Sequence, residues 1–554
     1  MSEQMFVILM ILSIGIILVA VSINSKRKQK NRIRNHWGTI PRTTHRDKEE
    51  SLFQSYEKLK PRLDFDSEVD DITWYDLDLF SVFQEINHTH SSIGSEALYR
   101  TLRLFNFNQK KQEELEEIID YYQEHPKKRE KIEYIFSQLG KRDYNSVVRY
   151  LTDSNNKALS SLIVYVILGS LPIVSLFLLI IGIEQLGFLL LVGSLLFNVV
   201  YSFMKKTKIR MELNSMSYFV QTLKTTKKLI KVDHPLQKEL KTLLKPFKSV
   251  SRFSFVFQEN EHNGIGILLD YLNMLFMLPF IAYYFSFNQV RNHEKEGIQL
   301  WQTLGRLEVA YAVLNYRLIL SLHTEPTFTE DEEVIGEAVY HPLIESPVAN
   351  PVRWSRNTLV SGSNASGKST YVKSVAINCI LAQTINTCLA ESFVMQRGHV
   401  LTSMAVEDDV LQGDSYFVAE IKSLKRVLDK VKTKERCYLF IDEILRGTNT
   451  VERIAASSSM IHWMADYPSL AFVATHDIEL TEMLKDQADN VHFRENVTEE
   501  DGVQFNYVLQ KGPATSRNAI LLLQNMNFPE TVVEDANEKA SHFDQTQEWL
   551  SFES

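Results

Sequence analysis

The stretch that most constrains this chain is Leu359–Thr370, LVSGSNASGKST, which fits the pattern G-x-x-x-x-G-K-[ST] with Gly362, Gly367, Lys368 and Ser369 at its fixed positions. Thr358-Leu359-Val360 reads as the end of a buried strand, and Thr370–Leu381 as the helix that follows. A strand, a glycine loop and a helix in that order form a phosphate cradle. Glycines let backbone N–H groups close around phosphate oxygens, and the helix N-terminus adds roughly half a positive charge. The spacing therefore predicts a nucleotide site built from Gly362, Ser363, Asn364, Ala365, Ser366, Gly367, Lys368, Ser369 and Thr370. In such a site the lysine neutralises the β- and γ-phosphates of ATP, and the Ser369 hydroxyl completes the shell of Mg²⁺.

Other segments supply the rest of that chemistry. Cys437–Glu443, CYLFIDE, is an apolar strand ending in two carboxylates. Beside a phosphate loop, Asp442 is placed for Mg²⁺ and Glu443 to polarise the attacking water. Ala474–Asp477, ATHD, closes another apolar strand and offers His476 to the γ-phosphate. Lys368, Glu443 and His476 are thus the expected catalytic residues. Glu407–Ile421 puts Gly413 and Ser415 before a helix, a start that can cap the γ-phosphate held by a second copy of the chain. Short apolar runs from about Val334 onward alternate with helical segments, which predicts an α/β domain with a mainly parallel sheet.

The apolar residues are unevenly distributed along the 554-residue chain. Met5–Ile23 is an uncharged run of bilayer length, and six cations follow it within Lys26–Arg34. Ala158–Ile181 and Leu186–Met204 are two more, with Glu184-Gln185 as the polar break between them and KKTKIR closing the second. Basic flanks stay in the cytoplasm, so these runs predict three spans, with the hairpin turn outside and the nucleotide site inside. The lipid bilayer is then a partner and the cell membrane the location, multi-pass. Tyr271–Phe287 is nearly long enough for a fourth span, but Asp270 borders it and Asn273 and Pro279 interrupt it. A fourth span would put the nucleotide site outside, so a buried core helix is expected there.

The soluble stretches read as helical. Asp70–Arg103 has helical spacing broken by polar turns, and Lys110–Glu133 reads as one charge-rich helix. His88 and His90 read as polar-loop histidines without metal-ligand spacing. Eight lysines between Lys224 and Lys248 have only Phe247 among them, too little for a base-stacking platform. The net charge of −9 argues against general nucleic-acid coating. The three cysteines, Cys379, Cys388 and Cys437, lack C-x-x-C spacing and read as buried hydrophobes in a reducing compartment.

Taken together these motifs resemble the ATPase domain of the MutS family of DNA mismatch-repair proteins. GSNASGKST is similar to the family's GPNMGGKST, DDVLQGDSYF to DDL-x-x-G-x-STF, and DEILRGTNT to DEIGRGTST, with Leu445 in place of Gly. ATHDIELTEM is similar to ATHYFELTEL, and Phe528–Ala536 to the family's C-terminal dimerisation helix. Upstream, THSSIGSEALYRTLR and Leu304–Arg317 resemble the first and last parts of the family's helical core. The resemblance implies a P-loop NTPase of the ABC type that hydrolyses Mg-ATP as a homodimer, with Ser415 acting in trans. It implies an association with DNA as well. No stretch resembles the family's mismatch-reading module, so DNA would be bound without mismatch specificity.

The expected domains are a membrane anchor with its basic flank (1–35), a core-like helical segment (36–157), a transmembrane hairpin (158–204), a lever- or core-like helical segment (205–330) and the ATPase domain (331–554). The expected function is ATP binding and hydrolysis at the membrane, coupled to DNA repair or recombination. The alternative is an ATP-driven membrane switch that acts on a protein partner without DNA.

Overall fold

The computed structural model describes residues 20–21, 23–40, 47–141, 147–152, 161–257, 271–362, 366–404, 416–498, 502–514, 520, 523–524, 526, 528–546 and 548–551. The expected first span, Met5–Ile23, and Asp270 therefore lie almost wholly outside the described residues. The chain divides into two compact units. One holds Met1–Asp64, Phe83–Thr101 and Lys110–Ile319, and the other Phe65–Val82, Leu102–Gln109 and Leu320–Ser554.

The second unit carries the strands. In chain order they are β1 (Ser67–Glu68), β2 (Leu104–Phe105), β3 (Thr327–Phe328), β4 (Val334–Val339), β5 (Asn350–Trp354), β6 (Thr358–Ser361), β7 (Ser392–Met395), β8 (His399–Ser403), β9 (Cys437–Asp442), β10 (Ser469–Ala474), β11 (Asp489–Thr498) and β12 (Gly502–Lys511). The main sheet runs β12-β11-β6-β10-β9-β8. Its pairings are parallel except β11 with β12. Every residue of β6 and β10 is buried. That explains why their sequences are continuous apolar runs rather than alternating ones, as in a sheet covered on both faces. A smaller sheet, β3-β7-β4-β5, lies beside it. Trp354 of β5 packs on Phe472, with ring centroids 4.3 Å apart, and on Phe440 at 5.3 Å.

Two N-terminal segments, grouped by periodicity with the helical region, belong to this unit. β1 pairs with β2, and the helix Asp71–Asp76 lies along β8. Asp70 caps that helix by accepting the Thr73 N–H at 2.9 Å. At the other end Asp76 accepts the Thr402 hydroxyl at 2.6 Å and the Met404 N–H at 3.0 Å. Polar spacing in the sequence gave no sign of this, because the partners are more than 300 residues away.

The first unit is helical. Its longest helix, Glu294–Ile319, is buried along nearly all of its C-terminal two thirds, from Leu300 to Tyr316. Gly305 allows the close approach of Ala97, whose Cβ would lie 2.5 Å from a Cβ added there. Three sequence expectations are corrected in this unit. Lys110–Glu133 is not one helix: it breaks at His125, and Pro126 opens a second helix, Pro126–Leu139. Proline is accepted in the first helical turn but cannot continue a helix. His88 and His90 lie in a loop, as expected, but their rings are covered. His88 is buried against Asn315, and the His90 ring lies 5.2 Å from the Tyr311 ring. Burial, then neighbouring charged groups, pushes both imidazoles down to about 3. Among the described residues no cluster of three or more His, Cys, Asp or Glu could hold a metal ion.

The second correction is the hairpin turn, and the third lies in the run Tyr271–Phe287. Leu162–Ile180 and Glu184–Lys208 are antiparallel helices, the two in the described chain long and apolar enough to cross a membrane. Gly182, at φ +89°, makes the turn, while Glu184 and Gln185 already belong to the second helix. An acidic residue at a helix N-terminus is favoured by the dipole. Much of the hairpin's apolar surface is bare: Ile180 is 82% exposed, Leu189 72% and Phe203 68%. The ambiguous run Tyr271–Phe287 is not a single helix. It breaks at Met277, which is left-handed at φ +55°, and Pro279 opens the helix Leu278–Asn292. Phe280, Tyr283 and Phe287 of that helix are buried.

Candidate nucleotide site

The site forms where β6, β9 and β10 end beside one another. The register that pairs Val473 with Leu359 and Ala474 with Asp442 brings the ends of the three strands level. Gly362 leaves β6 at φ +130°, and a Cβ there would sit 2.6 Å from the Phe493 carbonyl oxygen. Gly367, at φ +101°, is the residue before the helix Lys368–Ile385. These two positions need glycine: one for space and conformation, the other for conformation. The first turn of a helix carries N–H groups without helical acceptors, and Gly367 and Lys368 put that turn directly after the glycine loop.

Lys368 is 2% exposed, although a charged side chain is seldom buried without partners. Its ammonium donates to the Gly362 carbonyl and lies 3.0 Å from His476 Nε2. His476 Nε2 is in turn 3.2 Å from Glu443 Oε1, and Glu443 Oε2 is 3.1 Å from Arg446 Nε. Burial first, and then the Lys368 charge, hold His476 below the ordinary histidine range, against the opposite pull of Glu443. A neutral imidazole so placed can accept from the ammonium. On the other side of the lysine, the Ser369 hydroxyl donates to Asp442 Oδ2 at 2.8 Å. Two sets of contacts, Lys368 with His476 and Glu443, and Ser369 with Asp442, thus meet at this end of the sheet from positions spread over more than 100 residues of sequence.

This donor set fits Mg-ATP. A buried ammonium beside a glycine loop and a helix N-terminus suits polyphosphate. A hydroxyl and a carboxylate in contact suit a hard cation that prefers oxygen ligands. Ser366 is buried next to Gly362, whereas Thr370 is exposed on the first helical turn. Ser363, Asn364, Ala365 and Ser415 lie outside the described residues.

Other residues brace the site without having been singled out in the sequence. Arg453 forms a two-pronged pair with Asp477, at 2.8 and 2.5 Å, tying the helix Thr450–Met464 to the turn that carries His476. The Arg446 N–H donates to Glu420 at 2.9 Å. Glu443 and Leu445 both have φ +57°. Leu445 holds a left-handed conformation that glycine adopts freely, and its side chain is buried among Ile444, Leu439 and their neighbours. The packing of the leucine offsets a backbone cost of about 1–2 kcal/mol. Both arginines lie in RGTNTVER, directly after the carboxylates, and Asp477 directly follows His476. Proximity to the motifs was the available signal.

Residues 358–544, which include β6 and every one of these side chains, match the family model described as MutS domain V. The C-terminal part of this chain is MutS-like. Over 282 residues the chain is 28% identical to the DNA mismatch repair protein MutS of Geobacillus sp. (strain WCH70), covering 48% of this chain and 32% of that protein. It is 31% identical over 250 residues to the DNA mismatch repair protein MutS of Natronomonas pharaonis, covering 42% and 29%. It is 28% identical over 237 residues to the human MutS protein homolog 4, covering 40% and 25%. The matched part thus spans about a third or less of these relatives. The MutS-like assignment rests on the region that holds the nucleotide site.

Proposed function

We propose that this MutS-like chain binds and hydrolyses Mg-ATP as a homodimer held in the cell membrane, with its ATPase domain in the cytoplasm. The observation that carries the reading is the convergence of Lys368, His476 and Glu443 with the Ser369–Asp442 pair at the end of the parallel sheet. Lys368 and the loop N–H groups bind and orient the triphosphate. Ser369 and Asp442 hold Mg²⁺, which supplies charge neutralisation between the phosphates. Glu443 orients the attacking water, and His476, kept neutral, contacts the terminal phosphate. Ser415 of a second copy and the helix Glu530–Thr546 are the residues proposed for the dimer.

The two apolar helices, with Lys205, Lys206 and Lys208 at the end of the second, support anchoring in a bilayer with that end inside. Similarity to DNA mismatch repair proteins supports coupling of the ATP cycle to DNA. The test is phosphate release by the full-length protein in detergent. Wild type should require Mg²⁺, and Lys368→Ala should lose both ATP retention and release. Magnesium-independent release, or full release by the variant, would overturn the reading.

A further inference from the structure

One side chain in the hairpin has an unusual pair of partners. Asn198 is fully buried midway along the helix Glu184–Lys208. Its amide nitrogen donates to the Leu168 carbonyl at 2.7 Å and to the Leu275 carbonyl at 2.8 Å. In an α-helix each of these carbonyls would accept from the residue four positions on. Those residues are Pro172 and Pro279, and proline has no N–H. Asn198 therefore supplies the hydrogen bond that Pro172 removes from the first arm, and it also gives a donor to the Leu275 carbonyl, where the helical turn ends at the left-handed Met277 before Pro279. An exposed carbonyl orphaned in this way would bond to water; these two are instead closed off from it by protein donors.

The surrounding packing is equally close. Gly169 meets the backbone of Phe276, whose carbonyl oxygen would lie 2.4 Å from a Cβ added to the glycine. Tyr165, fully buried in the first arm, stacks on Phe280 with centroids 5.2 Å apart. Small residues at close backbone crossings and polar side chains that bond across helices are the usual contacts between helices in lipid. The broken segment nevertheless keeps large apolar side chains bare: Tyr271 is 57% exposed and Phe285 51%.

We infer that residues 271–285 form a re-entrant segment that dips into the bilayer against the hairpin and returns to the side it entered from, with Tyr271 and Phe285 facing acyl chains. The inference rests on the hairpin's being membrane-embedded. Given that, depth follows from position. Asn198 precedes Lys205 by seven residues, or about 10 Å of helix, so the Leu275 carbonyl lies about that far inside the basic boundary. Non-helical backbone is accepted at such depth only where protein satisfies it, and Asn198 does so at the break before Met277. The partner is the acyl region of the bilayer. It is indicated by the continuity of the bare residues with the hairpin's bare apolar face and by the lysines that mark its boundary.

The experiment uses full-length protein in vesicles of phosphatidylcholine and phosphatidylglycerol, spin-labelled at single introduced cysteines; the native cysteines are all buried. Labels at Y271C and F285C are compared with L189C on the hairpin and K485C on the ATPase unit, for collision with oxygen and with a water-soluble nickel chelate. The inference expects Tyr271 and Phe285 positions to resemble Leu189, with oxygen collisions at least threefold more frequent than nickel collisions. If Leu189 is lipid-like but the other two resemble Lys485, the re-entrant segment is refuted and the hairpin reading stands. If Leu189 is also water-like, both fail.

Discussion

Replacing Asn198 by leucine isolates the interaction that joins the hairpin to the broken segment. The substitution keeps the side-chain size and apolar packing but leaves the Leu168 and Leu275 carbonyls without donors. Interhelical hydrogen bonds in membranes average about 0.6 kcal/mol and reach about 1.7, so two of them put the cost at about 1–3 kcal/mol. The value in the argument comes from Pro172. In a Pro172→Ala background the missing N–H returns and the Leu168 carbonyl regains its helical donor, whereas the Leu275 carbonyl, beside the break at Met277, still depends on Asn198. Asn198→Leu should then lose only the Leu275 bond and cost about half as much, a coupling of about 0.6–1.7 kcal/mol between sites distant in sequence. The assay is unfolding of the full-length protein in mixed micelles, followed by near-UV circular dichroism. An equal penalty in both backgrounds would refute the claim that Asn198 serves the carbonyl that Pro172 orphans.

Three further outcomes follow from the nucleotide site and its setting. Mixed Ser415→Arg and Lys368→Ala chains should regain partial phosphate release, one working site per heterodimer; no recovery with heterodimers confirmed would count against shared sites. If DNA binds, homoduplex and single-mismatch duplex should compete within about threefold, less than about 1 kcal/mol apart, and a tenfold mismatch preference would overturn this. A single cysteine at Glu184 should label from outside intact cells, whereas cysteines at Asp233 and Asn292 should label only after lysis; outside labelling at Asn292 would show a further span.

The nucleotide site was legible because its residues sit at strand ends, where a short motif fixes both position and chemistry. Gly362, Lys368, Asp442, Glu443 and His476 could each be named before any fold was known, and they come together at the end of one sheet. What was not legible depends on partners remote in sequence. His88 and His90 look like uncovered loop residues until Asn315 and Tyr311 are placed over them. Asp76 looks like solvated charge until it caps Thr402 and Met404. Pro126 was a local signal, and a charge-rich periodicity on both sides of it masked the break. Asn198 resembles an accident in an apolar run unless Pro172 is counted four residues from one acceptor, Leu168, and the break at Met277 is placed beside the other.

The central claim is that Glu443 and its neighbours make this domain an ATPase, and one variant tests it most directly. Glu443→Gln keeps the glycine loop, Lys368 and the Ser369–Asp442 pair, and removes only the carboxylate beside His476 and Arg446. Mg-ATP binding and steady-state phosphate release are measured side by side on wild-type and variant full-length protein. Binding should remain within about twofold, while release should fall by roughly 100-fold or more, equivalent to about 2.7 kcal/mol of transition-state stabilisation. Near-wild-type release with unchanged binding would contradict the account and leave Glu443 as a structural partner of His476 and Arg446.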